Sequence, residues 1–335
     1  MLYWRKGARF KKLMGLYVGI DIGATRTKIV GIDTLGNLEQ STFVDTHDRI
    51  PDTSQKTDYW LRSVRSTVAQ VDRETKMTVE GVGIAAPGLV ADDQLSIAYM
   101  PGRMEGLEGL IWTDQLLFGV DIPVINDGQA AMLAESWIGA AKDCRTAVLL
   151  TLGTGVGGAL LVNGEVLCGP RGRAGHLGHM ALDLDGNPDI CGTPGSLEEL
   201  MGEGSLATRS RGEFERYEQL LEAHRRGEAR AAELWLRSVR SLATGIASII
   251  NILDPEIVLL GGGISSAEEL YTPLRAFMDE LEWRPGGTAV PVVTAELGPY
   301  GGAIGAARKA MTYRQYETKD SSTVVSPIRV ERNHG

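Results

Sequence analysis

The pattern strand, glycine turn, strand occurs twice in this chain. Residues 16–33 read LYVGIDIGATRTKIVGID, and residues 146–164 read TAVLLTLGTGVGGALLVNG. Each is a pair of β-rich runs around a short glycine-bearing turn, the pattern of a hairpin. We read the echo as a distant internal duplication, two α/β halves that each open with a hairpin whose turn faces a shared cleft. At 335 residues the chain suits two domains better than one core.

Composition narrows the class. The hydrophobic fraction of 43% is that of a globular protein. The 43 acidic against 34 basic residues leave a net charge of −9, which argues against a nucleic-acid partner. Cys144, Cys168 and Cys191 form no spaced framework, so a reducing cytoplasm is expected. No stretch reaches the roughly 18 apolar residues of a membrane span. The start, MLYWRKGARFKKLMG, is basic but lacks the apolar core of a signal peptide, and reads as a disordered tail or as residues upstream of a true start at Met14. The chain after about Met311 is polar and is expected to fray.

Between these ends the elements alternate. Trp60, Leu61, Val64, Val68 and Val71 lie at helical spacing within 57–73. Residues 79–88, VEGVGIAAPG, read as a buried strand ending in a Pro-Gly turn. IPVIND at 122–127 is a short strand, followed directly by a helix over 128–141. After the second hairpin comes a loop-rich segment, 165–195, then a long helix over 228–253. EIVLLGGG at 256–263 is a strand running into a glycine turn, and 265–281 a helix capped by Ser265 or Ser266. The last strand is 291–296 and the last helix 301–311.

Three glycine turns at strand ends suggest a ligand. In DIGATRTK, Asp21 can hold hydrated Mg²⁺, Gly23 lets backbone N–H groups approach phosphate oxygens, and Thr25 can donate to them. Lys28 completes that stretch. Gly153, Thr154 and Gly155 form a second phosphate-type loop. Gly261, Gly262 and Gly263 offer flat backbone on which an adenine could lie. Each alone also fits a plain turn. The pair Asn126-Asp127 likewise fits an Asx turn that starts a helix.

Order and content together resemble the ROK family (repressors, open reading frames, kinases). The stretches that carry the resemblance are DIGATRTK, PGLV, INDGQAAMLAE, TLGTGVGGALLVNG, AGHLGH, CGTPGSLEEL and VLLGGG, which span nearly all of residues 16–310. The resemblance implies the two-lobed α/β fold of the ASKHA superfamily (actin, hexokinase and Hsp70-like, ribonuclease H-like), with the active site between the domains. It implies phosphoryl transfer from ATP, with Mg²⁺, to a hydroxyl of a hexose or related sugar. Asp127 would be the general base, and Gly88, Asn126, Asp127, His176, His179 and Glu198 would bind the sugar. Asp21, Gly23, Thr25, Lys28 and the two later glycine turns would bind nucleotide and phosphate. A homodimer is also implied.

The stretch GRAGHLGHM at 172–180 departs from the family pattern. That pattern is Glu-x-Gly-His, then Cys-x-Cys-Gly-x-x-Gly-Cys-x-Glu, whose His and three Cys bind a structural zinc that braces the sugar loop. Here His176 replaces the Glu and His179 keeps the zinc histidine. Asp189, Cys191 and Ser196 fall at the three cysteine positions, and Glu198 keeps the last acid. His179, Asp189 and Cys191 could still form a three-ligand site, but with two thiolates gone no zinc is expected. The imidazole of His176 offers one donor and one acceptor where a Glu offers two anionic oxygens, so the sugar should differ from glucose or N-acetylmannosamine in one hydroxyl or bind in a turned pose, unless His176 points elsewhere and a water fills the gap. Arg171 and Arg173 are expected to be solvated.

The expected domains are residues 15–128, completed by a C-terminal helix at about 300–312, and residues 129–299. Segments 1–14 and 313–335 flank them. Competing readings are a transcriptional repressor, disfavoured because residues 1–15 cannot make a helix-turn-helix; a catalytically dead sugar sensor; and a glucokinase that uses polyphosphate as donor. The expected partners are a sugar and a nucleotide, with no nucleic acid and no membrane.

Overall fold

Strand β1, Leu16–Ile22, is buried along its whole length and organises the first sheet. The computed structural model describes residues 15–46, 62, 64–71, 73, 77–100, 104, 106–116 and 119–317. The basic start, Trp60, Leu61 and the chain beyond 317 lie outside them. β1 pairs antiparallel with β2, Arg26–Asp33, which pairs with β3, Leu38–Asp45. On its other side β1 runs parallel to β4, Val79–Ala86. After the small hairpin of β5, Leu89–Val90, and β6, Ile97–Tyr99, strand β7, Val124–Asn126, runs parallel to β4. The order is β3-β2-β1-β4-β7.

The second sheet repeats this plan. β8, Ala147–Leu152, and β9, Val156–Val162, form the second hairpin, and β10, Glu165–Val166, extends it. β11, Ile257–Gly261, and β12, Val292–Thr294, then add in parallel, for the order β10-β9-β8-β11-β12. Strand by strand, pairing and direction match the first sheet. The duplication read from two hairpins therefore extends to all five strands of each sheet.

Five helices between or beside the sheets matter here. They are α1, Asp127–Ile138; α2, Leu197–Met201; α3, Tyr217–Arg225; α4, Ala229–Leu253; and α5, Glu268–Leu281. A sixth, α6, Gly301–Glu317, returns to the first sheet and continues past Met311. One face of that sheet packs Leu16, Val18, Ile20 and Ile22 with Val64, Val68 and Val71 of the helical segment 64–71. The other face receives α6, where Tyr17, Val30 and Ile32 meet Ala303, Ile304 and Ala307. Glycine makes that contact close. A Cβ on Gly19 would lie 1.8 Å from the Ala303 carbonyl oxygen, and one on Gly83 2.0 Å from that of Ala306.

α1 sits between the sheets. Ala130 packs with Ala85 and Ala306, while Met132 enters the cluster of Ala147, Leu149, Ala159 and Leu259. The outer face of the second sheet carries the largest core, where Val148, Leu150 and Leu260 meet α3, α4 and α5 through Leu220, Trp235, Ile246 and Leu274. The layers thus run helix, sheet, helix pair, sheet, helices.

Most expected elements fall within a residue or two of their predicted limits. The cap of α5 is a correction. Ser265 and Ser266 form a separate 3-10 turn, Ile264–Ser266, in which the Ser265 hydroxyl donates to the Gly262 carbonyl at 2.7 Å. The helix starts after Ala267, with no side-chain cap. The tight exit from β11 uses the serine before the helix begins.

Candidate active site

The C-terminal ends of the parallel strands gather the candidate residues of the first lobe, the usual place for a ligand in an open α/β sheet. Asp21 lies near the end of β1 and faces Lys28 across the β1–β2 register; Lys28 Nζ donates to Asp21 Oδ2 at 3.3 Å. Asn126 ends β7 and caps α1, its Oδ1 accepting from Gly128 N at 3.0 Å and Gln129 N at 3.2 Å. Its Nδ2 donates to the Gly88 carbonyl at 3.1 Å, tying the end of β4 to the start of α1. Asn126 is therefore the helix-starting residue that its sequence context suggested, and it is buried.

Asp127 is the first residue of α1. Its Oδ1 accepts from its neighbour's amide, Gly128 N, at 2.8 Å. The residue is open to solvent, yet protein atoms surround its carboxylate. That desolvation raises its pKa; Gly128 N, His176 and Lys28 pull the other way. Asp21 is pushed up to about 6, first by burial and then by the charge of Asp127, against the pull of Lys28. Two carboxylates and one lysine thus interact electrostatically, with Asp21 itself buried. Asp21 fits a hydrated cation on this observation, since its carboxylate is buried and only partly compensated by Lys28.

His176 enters from the second lobe, just before the 3-10 turn Leu177–His179. Its Nε2 is buried and has no hydrogen-bond partner. Burial holds its pKa below the usual value, as does the nearby His179, while Asp127 acts in the opposite sense. A neutral imidazole next to an acidic carboxylate can accept from or donate to a hydroxyl.

The glycine turns occupy equivalent places in the two sheets. Gly23–Thr25 closes the first hairpin after Ile22↔Thr27, and Gly153–Gly155 the second after Leu152↔Val156. Gly23 N bonds Arg26 O at 3.1 Å, and Gly153 N bonds Gly155 O at 3.0 Å. The turn after β11 lies beside the second hairpin: Gly261 pairs with Thr151, and a Cβ on Gly262 would approach Leu152 O to 2.3 Å.

A model of the ROK family matches residues 17–312. The chain belongs to the ROK family. It is 28% identical over 316 residues to a glucokinase of Halalkalibacterium halodurans, covering 86% of this chain and 93% of that one. The ROK hexokinase of Thermus thermophilus has a TM-score of 0.77 at 28% identity, over 90% of this chain and 99% of its own. The ROK glucokinase of Streptomyces griseus, solved with glucose and AMPPNP, has a TM-score of 0.72 at 26% identity, over 89% and 100%. The architecture is thus the two-lobed ASKHA fold of ROK sugar kinases. Among the described residues no helix is long and apolar enough to cross a membrane.

Two candidate sugar residues of this ROK chain are engaged within the protein. Glu198 Oε2 accepts from Val156 N at 2.9 Å, and a Cβ on Gly155 would meet the same oxygen at 2.3 Å. Glu198 therefore supports the second glycine turn from below. The ring of His179 is held at both nitrogens: Nδ1 lies 2.7 Å from Asp189 Oδ2, and Nε2 lies 3.5 Å from Cys191 Sγ. It is stacked on His176 with ring centroids 6.5 Å apart. Arg171 and Arg173 are exposed.

The four positions that hold zinc in the family pattern can be tested by their chemistry here. His179, Asp189 and Cys191 bring one ligand atom each within 4.8 Å of one another. The fourth, Ser196, is fully buried, and its hydroxyl oxygen accepts from Glu199 N at 3.1 Å to cap α2. Asp189 Oδ1 already accepts from Cys191 N at 2.9 Å and Thr193 N at 3.0 Å. One thiol, one imidazole and two committed oxygen groups do not fit a closed, thiolate-rich structural zinc site. In the sequence Asp189 reads only as a lost cysteine or a spare ligand; its part in the loop depends on groups that only the folded chain brings together.

Proposed function

We propose that this ROK protein transfers the γ-phosphoryl group of ATP to a hydroxyl of a hexose or related sugar, with Asp127 as general base. The lobes of this reading are residues 15–128 with α6, and residues 129–299. The observation that carries it is the carboxylate of Asp127. One oxygen is anchored to Gly128 N, its acidity is weakened by burial, and the nearby His176 of the second lobe interacts with its charge. A base with a raised pKa can accept a hydroxyl proton near neutral pH. The substrate hydroxyl lies against Asp127, with His176 beside it. Gly88, Asn126 and the loop holding His179 and Glu198 shape the remainder of the sugar pocket.

On the donor side, Asp21 would hold Mg²⁺, whose chemistry when bound would be to spread phosphate charge. Gly23, Thr25, Lys28 and Gly153–Gly155 line the phosphates, and Gly261–Gly263 the base. A packing argument supports this placement. Gly153 and Gly263 each have open space where a Cβ would go, and Gly263 is helical in φ and ψ. Neither glycine is demanded by the fold, so close approach of a ligand to the backbone is what explains them.

The test is a coupled assay over hexoses, amino sugars and polyols, with ATP and polyphosphate as donors. Turnover with ATP on at least one sugar is expected. Asp127→Asn should lower kcat by roughly 10²-fold or more on that sugar, with nucleotide affinity kept. Near wild-type turnover in the variant would sink Asp127 as the base.

A further inference from the structure

The loop 180–197 closes on itself through Asp189. This side chain is 1% exposed and receives the His179 ring at Oδ2 and the Cys191 and Thr193 amides at Oδ1. The Ser196 side chain lies beside it. All four positions of the family's zinc pattern are therefore gathered on Asp189, which is bonded directly to His179 and to the Cys191 amide. Around them the backbone is tied independently: Leu182 N and Asp183 N reach Gly195 O, Gly195 N reaches Asn187 O, and Leu197 N reaches Met180 O, all at 2.8–3.1 Å. Pro188 pairs with Pro194, and Ala181 with Ser196.

We infer that Asp189 takes the structural place of the metal in this chain, acting as a hydrogen-bonding hub that holds the loop and fixes His179 in the Nδ1–H tautomer. The physical exchange is coherent. A zinc ion orients its ligands by attracting lone pairs; a carboxylate orients donors by accepting from them. The substitutions at 189 and 196 are then one change. A carboxylate needs donors around it, and Ser196 supplies a hydroxyl where a second thiolate would repel it. The Nδ1–H tautomer leaves Nε2 as an acceptor, which meets the Cys191 thiol as a weak donor. Asp189 is thereby a positioning residue: it sets the plane of His179, against which His176 stacks at 13° between ring planes. This inference does not require the phosphoryl-transfer reading, since it concerns what holds the loop.

The experiment uses the full-length protein, purified without chelator in zinc-supplemented medium. Elemental analysis should find well under one zinc per chain, and the thermal midpoint should not move in EDTA. Nitrogen chemical shifts of selectively labelled histidine should place the proton of His179 on Nδ1, with His179→Gln providing the assignment. Asp189→Ala should shift His179 towards a mixture of tautomers. The double variant Asp189→Cys with Ser196→Cys should gain one zinc per chain and become EDTA-sensitive. Stoichiometric zinc in the wild type, or a His179 proton on Nε2, overturns the inference. The zinc content and the EDTA response need only the wild type, so the inference can fail even if a variant does not fold.

Discussion

At the residue scale, Asp21 shows how a site strains the fold that carries it. Its carboxyl binds a proton more tightly in the folded chain, at about 6, than at the ordinary value of 3.8. Its share of stability is therefore complete below pH 3.8 and lost as pH rises through about 6. At neutral pH the buried charge costs on the order of 3 kcal/mol at 1.36 kcal/mol per pH unit. Asp21→Asn should raise the urea midpoint at pH 7.5 in the absence of Mg²⁺, by less than this figure because Lys28 loses its partner, and should flatten the slope between pH 4 and 6. Activity should fall sharply. A variant less stable than wild type at pH 7.5 would falsify this account. The places of Asp21, Asn126 and Asp127 at strand ends are legible in the sequence because polar residues there carry their position with them; for Asn126 and Asp127 a role beyond an Asx turn comes only from the family resemblance. The partners of His179 and Glu198 were not legible, because each bond is made to a loop or turn whose path is set by the fold.

At the element scale, α6 is the strongest example of composition dictating contact. Its small residues, GGAIGAA, let it touch backbone on two sides. A Cβ on Gly305 would lie 1.8 Å from Ala130 O of α1, whereas one on Gly301 would make only ordinary contacts at 3.8–3.9 Å. Gly305→Ala should therefore force the helices apart and cost about 3 kcal/mol, the upper end of overpacking, with Gly301→Ala close to neutral. Equal urea midpoints for the two variants would show that the α1–α6 contact yields more readily than its geometry suggests. The same helix, both hairpins and α4 stood out in the sequence through apolar period or glycine turns. β3 did not, since it is an edge strand with polar residues on both faces and Phe43 half exposed beneath Arg26. α3 was hidden for a related reason: its few apolar residues, Tyr217, Leu220, Leu221 and Ala223, are set among charged ones.

At the scale of the whole molecule, the chain passes from the first sheet to the second once, through α1, and returns once, from β12 to α6. Glu135 links the two passages. It is 2% exposed, with Oε1 accepting from Leu297 N at 2.9 Å at the start of the return and Oε2 from Ala140 N at 2.8 Å at the end of α1. In the proposed reaction water must be excluded around Asp127, so the lobes would close on the substrates, and closure needs fixed points about which they turn. Glu135, which ties the end of α1 to the start of the return, would serve as such a point, with the turning residues near Gly128 and residues 299–302. Adding a phosphorylatable sugar with a nonhydrolysable ATP analogue should shrink the radius of gyration in solution scattering, and identical curves would argue against closure. Glu135→Ala leaves two N–H groups without acceptors, about 1–3 kcal/mol for each that stays buried. The variant should lose thermal stability, and amide exchange should rise first at 297–301. Its scattering curve with ligands should stay nearer the open one. If exchange at 297–301 matches wild type while stability falls, Glu135 holds only the end of α1, and the fixed point between the lobes lies elsewhere.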